Sequence, residues 1–158
     1  MDIINTKELS IEWKREILNL WNCEYPLKMS YNSLDEFDEY LNKLGDQNHT
    51  LFFNSENQIK AWYVDFIRDE ERFFAIILDS EEQGKGYGSI VLNLAKENNH
   101  ELNAWVIDHE NDKKQNGEPY RSPLNFYVKN AFEVLPEVRL EVDKISAVKI
   151  RWRRNNSF

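Results

Sequence analysis

Between positions 83 and 89 the chain reads Gln83-Gly84-Lys85-Gly86-Tyr87-Gly88-Ser89, with glycine at alternate positions. Glycine reaches positive φ without steric cost and lets another molecule approach the main chain closely. An apolar stripe follows at Tyr87, Ile90, Val91, Leu94 and Ala95, which predicts a helix over about 86–99. Free amides at a helix start carry partial positive charge and favour anions, phosphate above all. Two common phosphate loops are excluded by spacing. There is no G-x-G-x-x-G as used for dinucleotides and no G-x-x-x-x-G-K-[ST] as used for nucleoside triphosphates. The pattern present is Q-x-x-G-x-G, at Gln83, Gly86 and Gly88.

The elements that must position this loop are visible as alternating helix and strand signals. The unbroken apolar run Phe73–Leu78 predicts a strand over 72–79 covered on both faces, leading directly into the loop. Upstream, helices are expected over 7–22 and 34–44, the second opened by a capping box at Ser33 and Glu36. Strands over 50–54 and 59–67 form a hairpin. Downstream come a strand over 102–107, a polar stretch over 108–121, and a helix opened by Ser122-Pro123. Two alternating strands, about 138–142 and 146–152, close the chain. The result is one mixed α/β domain over 1–158.

A second motif lies in SPLNFYVKNAF, where Tyr127, Lys129, Ala131 and Phe132 follow a Y-x-K-x-G-F pattern with alanine at the glycine position. With the loop and the element order, this resembles the GCN5-related N-acetyltransferase (GNAT) family over nearly the whole chain. The resemblance implies a mostly antiparallel sheet of about six to seven strands with about four helices. A splayed strand pair marks the cofactor site. The implied donor is acetyl-CoA, held by Gln83, Gly84, Lys85, Gly86, Tyr87, Gly88 and Ser89, with Asn125 touching its phosphates. Main-chain groups of Ile76 and Leu78 hold the pantetheine arm, and the Leu78 amide is the oxyanion donor. Tyr127 protonates the leaving thiolate. The amine attacks directly in a ternary complex, so Cys23 is a bystander.

The amine must lose a proton, and Asp108 and His109, directly after the strand at 102–107, are the candidate bases. The acceptor site of such a fold nominates Tyr25, Tyr31, Trp62, Phe66, Asp108, His109 and Tyr120. This aromatic set suits a small amine with an apolar body, or a peptide amine. A module of the same fold that binds acyl-CoA without catalysis is the alternative; retention of Tyr127 speaks against it.

Composition narrows the partners. The 158 residues carry 20 Lys plus Arg against 28 Asp plus Glu, a net charge of -8. Such a surface repels nucleic-acid phosphates and favours a cationic acceptor. No segment reaches the ~18 apolar residues of a membrane span. The N-terminal MDIINTKELS lacks a basic region followed by an apolar run, so a cytoplasmic protein is expected. Cys23 is the single cysteine, and no His, Asp or Glu spacing suggests a metal site. His49 and His100 read as ordinary surface residues. A homodimer is compatible with the sequence. Asn48-His49-Thr50 and Asn155-Asn156-Ser157 match the glycosylation pattern, without a secretory context to give it meaning.

Overall fold

A computed structural model describes residues 1–155. The Asn155 glycosylation pattern therefore lies partly outside the described residues. The elements run β1 (Asp2–Thr6), α1 (Ile11–Glu24), α2 (Leu34–Asn42), β2 (Gly45–Phe53), β3 (Ile59–Arg68), β4 (Glu71–Leu78), α3 (Tyr87–Glu97), β5 (Glu101–Ile107), α4 (Leu124–Lys129), β6 (Glu133–Val142) and β7 (Ile145–Arg153). They form a seven-stranded sheet in the order β1-β2-β3-β4-β5-β7-β6. Every neighbouring pair is antiparallel except β4 and β5.

Strand alternation divides the core into two layers. Phe73 and Ile77 of β4 join Trp62 and Phe66 of β3 beneath α1 and α2, with Ile17, Trp21, Phe37 and Leu41 above them. Phe74 of β4 points to the other face, where Val91, Leu92 and Ala95 of α3 and Tyr127 of α4 cover it. This two-sided burial explains why Phe73–Leu78 is an unbroken apolar run.

The helix starts follow their caps. Ser10 and Ser33 accept from the amides of Trp13 and Glu36. The Glu36 carboxylate closes its box on the Asn32 amide at 2.9 Å rather than on Ser33. Helix α1 starts later and ends later than expected, at Glu24, before Pro26.

Three departures have physical causes. The edge strand β1 was not anticipated; only Thr6 is more than marginally covered, so it carries no core stripe. β2 begins at Gly45, not at 50, because its polar start does structural work. Gln47 Nε2 donates to the last carbonyls of α2, Leu41 O and Leu44 O. His49, expected at the surface, is 1% exposed. It accepts from Trp62 Nε1 at Nδ1 (3.0 Å), and its Nε2 faces Gln47 Oε1 (2.7 Å), which assigns the proton to Nε2. Finally, β6 begins at Glu133 but breaks register between Leu135 and Arg139. Pro136 lies in that break and cannot donate to the ladder.

Candidate active site

β4 and β5 are held together by one bridge, Phe73 to Asn103. Beyond it the strands diverge, as the resemblance implied. The ladder phase fixes which main-chain groups are left facing the gap. Asp79 N donates to Lys60 O, so the odd-numbered positions of β4 bond to β3. The amides and carbonyls of Ile76 and Leu78 therefore point toward β5. Arg154 N donates to His100 O, so even-numbered positions of β5 bond to β7 and those of Trp105 and Ile107 point toward β4. Two of these groups already have partners. Gln83 Nε2 reaches back to Leu78 O at 3.1 Å, and Ser122 Oγ donates to Ile107 O at 2.6 Å. The Ile76 and Leu78 amides remain directed into the gap.

The glycine loop closes one end of this gap. Gly84 and Gly86 have φ of 78° and 87°, a region L side chains rarely adopt, and nothing lies within 4 Å of where a Cβ would stand. Gly88 serves a different purpose. A Cβ there would stand 2.8 Å from Cζ of Phe126, so this glycine lets α3 pack against α4. Gly86 caps α3 without a side-chain bond, which leaves the first-turn amides of Tyr87, Gly88 and Ser89 without intrahelical acceptors. They line a cavity of about 550 Å³ together with Ile76, Leu78, Gln83, Arg121 and Tyr127. That volume is within the ~300–1,000 Å³ of ordinary ligand sites.

Tyr127 is fixed by the end of its helix. Phe132 N donates to Tyr127 O (3.0 Å) and Ala131 N to Val128 O (3.2 Å), a Schellman turn. Ala131 sits at φ 71°, the left-handed position where glycine is favoured. The Tyr127 ring packs edge-on to Phe74, Phe126 and Phe132 at centroid distances of 5.8, 5.2 and 5.6 Å. Its hydroxyl makes no hydrogen bond among the described residues, and burial raises its pKa above the ordinary tyrosine value.

A narrower space of about 100 Å³ runs through the gap, bounded by Tyr25, Ile76, Trp105, Tyr120 and Tyr127. It leads to a third cavity of about 180 Å³ on the α1/α2 face, lined by Tyr25, Tyr31, Phe66 and Trp105 among others. Each space shares lining residues with the next, so the three lie side by side across the splay, with the narrow one as the candidate passage between the two cavities. Burial raises the pKa of Tyr25, with Tyr120, Tyr40 and Tyr127 adding to the effect.

Several expected residues stand elsewhere. Trp62 is fully buried and gives its indole N–H to His49, so it is core and not pocket lining. Asp108 is gripped by Arg139 through two bonds of 2.8 and 3.0 Å, which hold its carboxyl below the usual range. His109 accepts from the Asn111 amide at Nδ1 and faces Asp112 at 3.9 Å. Neither lines any of the three spaces, so neither is placed to act as a base. Lys85 pairs with Glu82, and Asn125 is exposed outside the cavity. The cation at the cavity is Arg121, which sequence reasoning passed over beside Tyr120. Also missed was Glu24, whose carboxylate ties Ser80 and Lys114 together at the cavity wall. Cys23 contacts Gln115 Nε2 at 3.2 Å, away from these spaces.

No family model matches the sequence, and no curated protein matches it. Solved structures do. An aminoglycoside 6'-N-acetyltransferase complexed with coenzyme A superposes with TM-score 0.70 at 11% identity, over 97% of each chain. A GNAT superfamily phosphinothricin acetyltransferase from Sinorhizobium meliloti, in complex with acetyl-CoA, gives 0.66 at 11% identity over 97% of this chain and 89% of that one. Spermidine N-acetyltransferase from Vibrio cholerae, with coenzyme A and spermine, gives 0.65 at 17% identity over 96% and 95%. With its single-bridge splay and its glycine loop at the start of α3, this chain has the fold of the GCN5-related N-acetyltransferases.

Proposed function

We propose that this protein is an acetyl-CoA-dependent N-acetyltransferase that acts on a primary amine. The observation that carries the reading is the passage through the sheet. A phosphate-suited cavity on one face and a small aromatic cavity on the other each share lining residues with the narrow space between them, and Ile76 and Tyr127 line both that space and the phosphate-suited cavity. Structural neighbours crystallised with coenzyme A or acetyl-CoA support the choice of donor.

The residues fit that group. The open backbone at Gly84 and Gly86, the uncapped amides of Tyr87, Gly88 and Ser89, and Arg121 form a cradle for a pyrophosphate. The Ile76 amide faces the space a pantetheine arm would fill. When bound, acetyl-CoA supplies an acetyl group activated as a thioester. The Leu78 amide, directed into the gap, would stabilise negative charge developing on the acetyl oxygen. Tyr127 keeps its proton across the physiological range, because burial disfavours the phenolate. It is therefore a donor, held against the passage by Phe74 and Phe132. The opposite cavities permit donor and amine to be present together, and direct transfer needs no nucleophile from Cys23.

No carboxylate or imidazole lines the narrow space among the described residues, and Glu24, at the wall of the phosphate-side cavity, is held by Ser80 and Lys114. The amine accordingly enters neutral, and turnover rises with pH toward the amine's own pKa. A pH profile that stays the same whatever the amine's pKa, and that is lost in His109→Gln, would instead restore His109 as the base. The deciding experiment for the donor is a thermal-shift titration with acetyl-CoA against ATP and NAD. A ligand at ~100 times its dissociation constant adds about 2.7 kcal/mol, roughly 5–11 °C for a domain of this size. Stabilisation by ATP or NAD in place of acetyl-CoA would overturn the reading.

A further inference from the structure

The chain as a whole is acidic, but the cavity on the α1/α2 face is not. Its lining is dominated by aromatic rings, among them Tyr31, Tyr40, Phe66 and Trp105, and its charged residues are both cations, Arg68 and Lys144. Arg68 ends β3 with its guanidinium 5.0 Å from the centre of the Phe66 ring. Among the described residues neither Arg68 nor Lys144 has an ion-pair partner, whereas most other cations near the sheet have one. Lys149 and Arg151 share Glu71, and Arg72 holds Asp46 and Asp65. The charge of Arg68 reaches the Tyr31 and Tyr40 hydroxyls, where it opposes the effect of burial. Glu36, whose charge Tyr31 also feels, is committed to the Asn32 amide.

An unpaired guanidinium stacked over an aromatic ring in an aromatic cavity is a receptor for an anion joined to an apolar body. A polycation would meet repulsion there. Position adds a length. Arg68 sits over Phe66, which pairs with Phe73, and Phe73 lies three residues before Ile76 on β4. At ~3.3 Å per residue, the guanidinium and the reacting end of the passage are roughly 10 Å apart. The cavity's volume of about 180 Å³ falls below the range of drug-sized sites, so it holds one residue-sized group.

Resting on the acetyltransferase reading, we infer that the acceptor is a small primary amine with an aromatic or apolar body and an anionic group at the end remote from the amine, bound by Arg68 with Lys144 beside it. This replaces the cationic acceptor that net charge alone suggests.

The test compares para-(aminomethyl)benzoate, benzylamine and spermidine as acceptors, in the wild type and in Arg68→Gln. The benzoate carries the anion, benzylamine lacks it, and spermidine reverses the sign. The expected order in kcat/KM is benzoate first and spermidine last. A charged hydrogen bond of the usual strength makes the benzoate roughly 10- to 100-fold better than benzylamine. Arg68→Gln lowers kcat/KM for the benzoate roughly 10- to 100-fold more than for benzylamine while leaving acetyl-CoA affinity within about twofold, and Arg68→Lys restores part of the difference. Preference for spermidine, an equal loss on both aromatic amines, or no turnover of any of the three by protein that binds acetyl-CoA would overturn the inference. Calorimetric binding of the benzoate alone, with and without Arg68, reads the cavity independently of the donor. If acetyl-CoA fails to stabilise the protein, the function is lost, yet that calorimetric arm still decides the chemistry of the cavity.

Discussion

The two sides of the sheet build their halves of the site in different ways. On the α3/α4 side the contacts are mostly main chain: loop amides, a bare helix start, and strand amides freed by the splay. On the α1/α2 side they are side chains from many separate places, including Tyr25 after α1, Tyr31 in a loop, Tyr40 on α2, Phe66 and Arg68 on β3, and Trp105 on β5. A main-chain site requires particular backbone angles at particular spacings. A side-chain site requires only that rings and charges arrive in one place. The first is narrowly defined and intolerant of substitution. The second can be re-tuned one residue at a time.

The largest expected effect lies on the main-chain side. In Gly86→Glu a side chain is forced onto φ 87° and a carboxylate enters the proposed phosphate cradle. Acetyl-CoA affinity should fall by more than ~100-fold, since the strain and the like charge each act against binding. Calorimetry reads this directly. Retained affinity would show that the loop is not the phosphate site and would end the contrast between the two sides. Tyr127→Phe comes next. It keeps the ring packed against Phe74 and Phe132 and removes only the hydroxyl proposed as the proton donor. Turnover should drop on the order of 10²-fold, with acetyl-CoA binding unchanged. Wild-type turnover in that variant would move Tyr127 from chemistry to packing.

A third measurement probes the support beneath the aromatic side. Burial lowers the pKa of His49 to about 4, with Asp65 acting in the opposite direction. In the unfolded chain it returns to about 6.5. The neutral form is the one the fold accepts, so its stabilising contribution is complete above pH 6.5 and is lost as pH falls toward 4. Linkage puts the loss at about 2 kcal/mol by pH 5. Denaturant midpoints at pH 8 and pH 5 should differ accordingly, and His49→Gln should remove most of the difference. An identical pH dependence in that variant would assign the effect to the carboxylates instead.

How much of this could be read from residue order follows from the same contrast. The loop is legible because Gln83, Gly86 and Gly88 mark backbone requirements, and the Tyr127 helix because its turn leaves a fixed spacing to Phe132. The aromatic side is not. Trp62 and Phe66 are both aromatic positions on one strand, and nothing in their types says that one is sealed against His49 while the other lines a cavity. Asp108 was nominated by its place after β5. The ion pair that disables it comes from Arg139, thirty-one positions later, through a strand shifted by the bulge at Pro136. Arg68 gave no signal at all, because its significance is the absence of a partner, and partners are a property of the fold. Edge strand β1 was missed for a related reason: nearly uncovered on both of its own faces, it has no apolar rhythm.

The smallest effect sharpens the comparison most, because it tests a site feature through stability alone. The motif that carries Tyr127 places alanine where the helix turn demands a left-handed residue, at φ 71°. For an L residue that conformation costs roughly 1–2 kcal/mol relative to the right-handed form. Glycine avoids the clash but gains freedom in the unfolded chain, worth about 0.4–1 kcal/mol in the other direction. The balance favours Ala131→Gly by about 0.5–1 kcal/mol, or roughly 1–4 °C in Tm. The turn would keep its two bonds, from Phe132 N and Ala131 N, so Tyr127 should not move and turnover should stay within about twofold. A stabilised variant with unchanged turnover means the alanine is tolerated strain with no part in the reaction. A stabilised variant that is slower would mean the strained turn sets the tyrosine's position, making even the end of α4 part of the main-chain machinery on that side of the sheet.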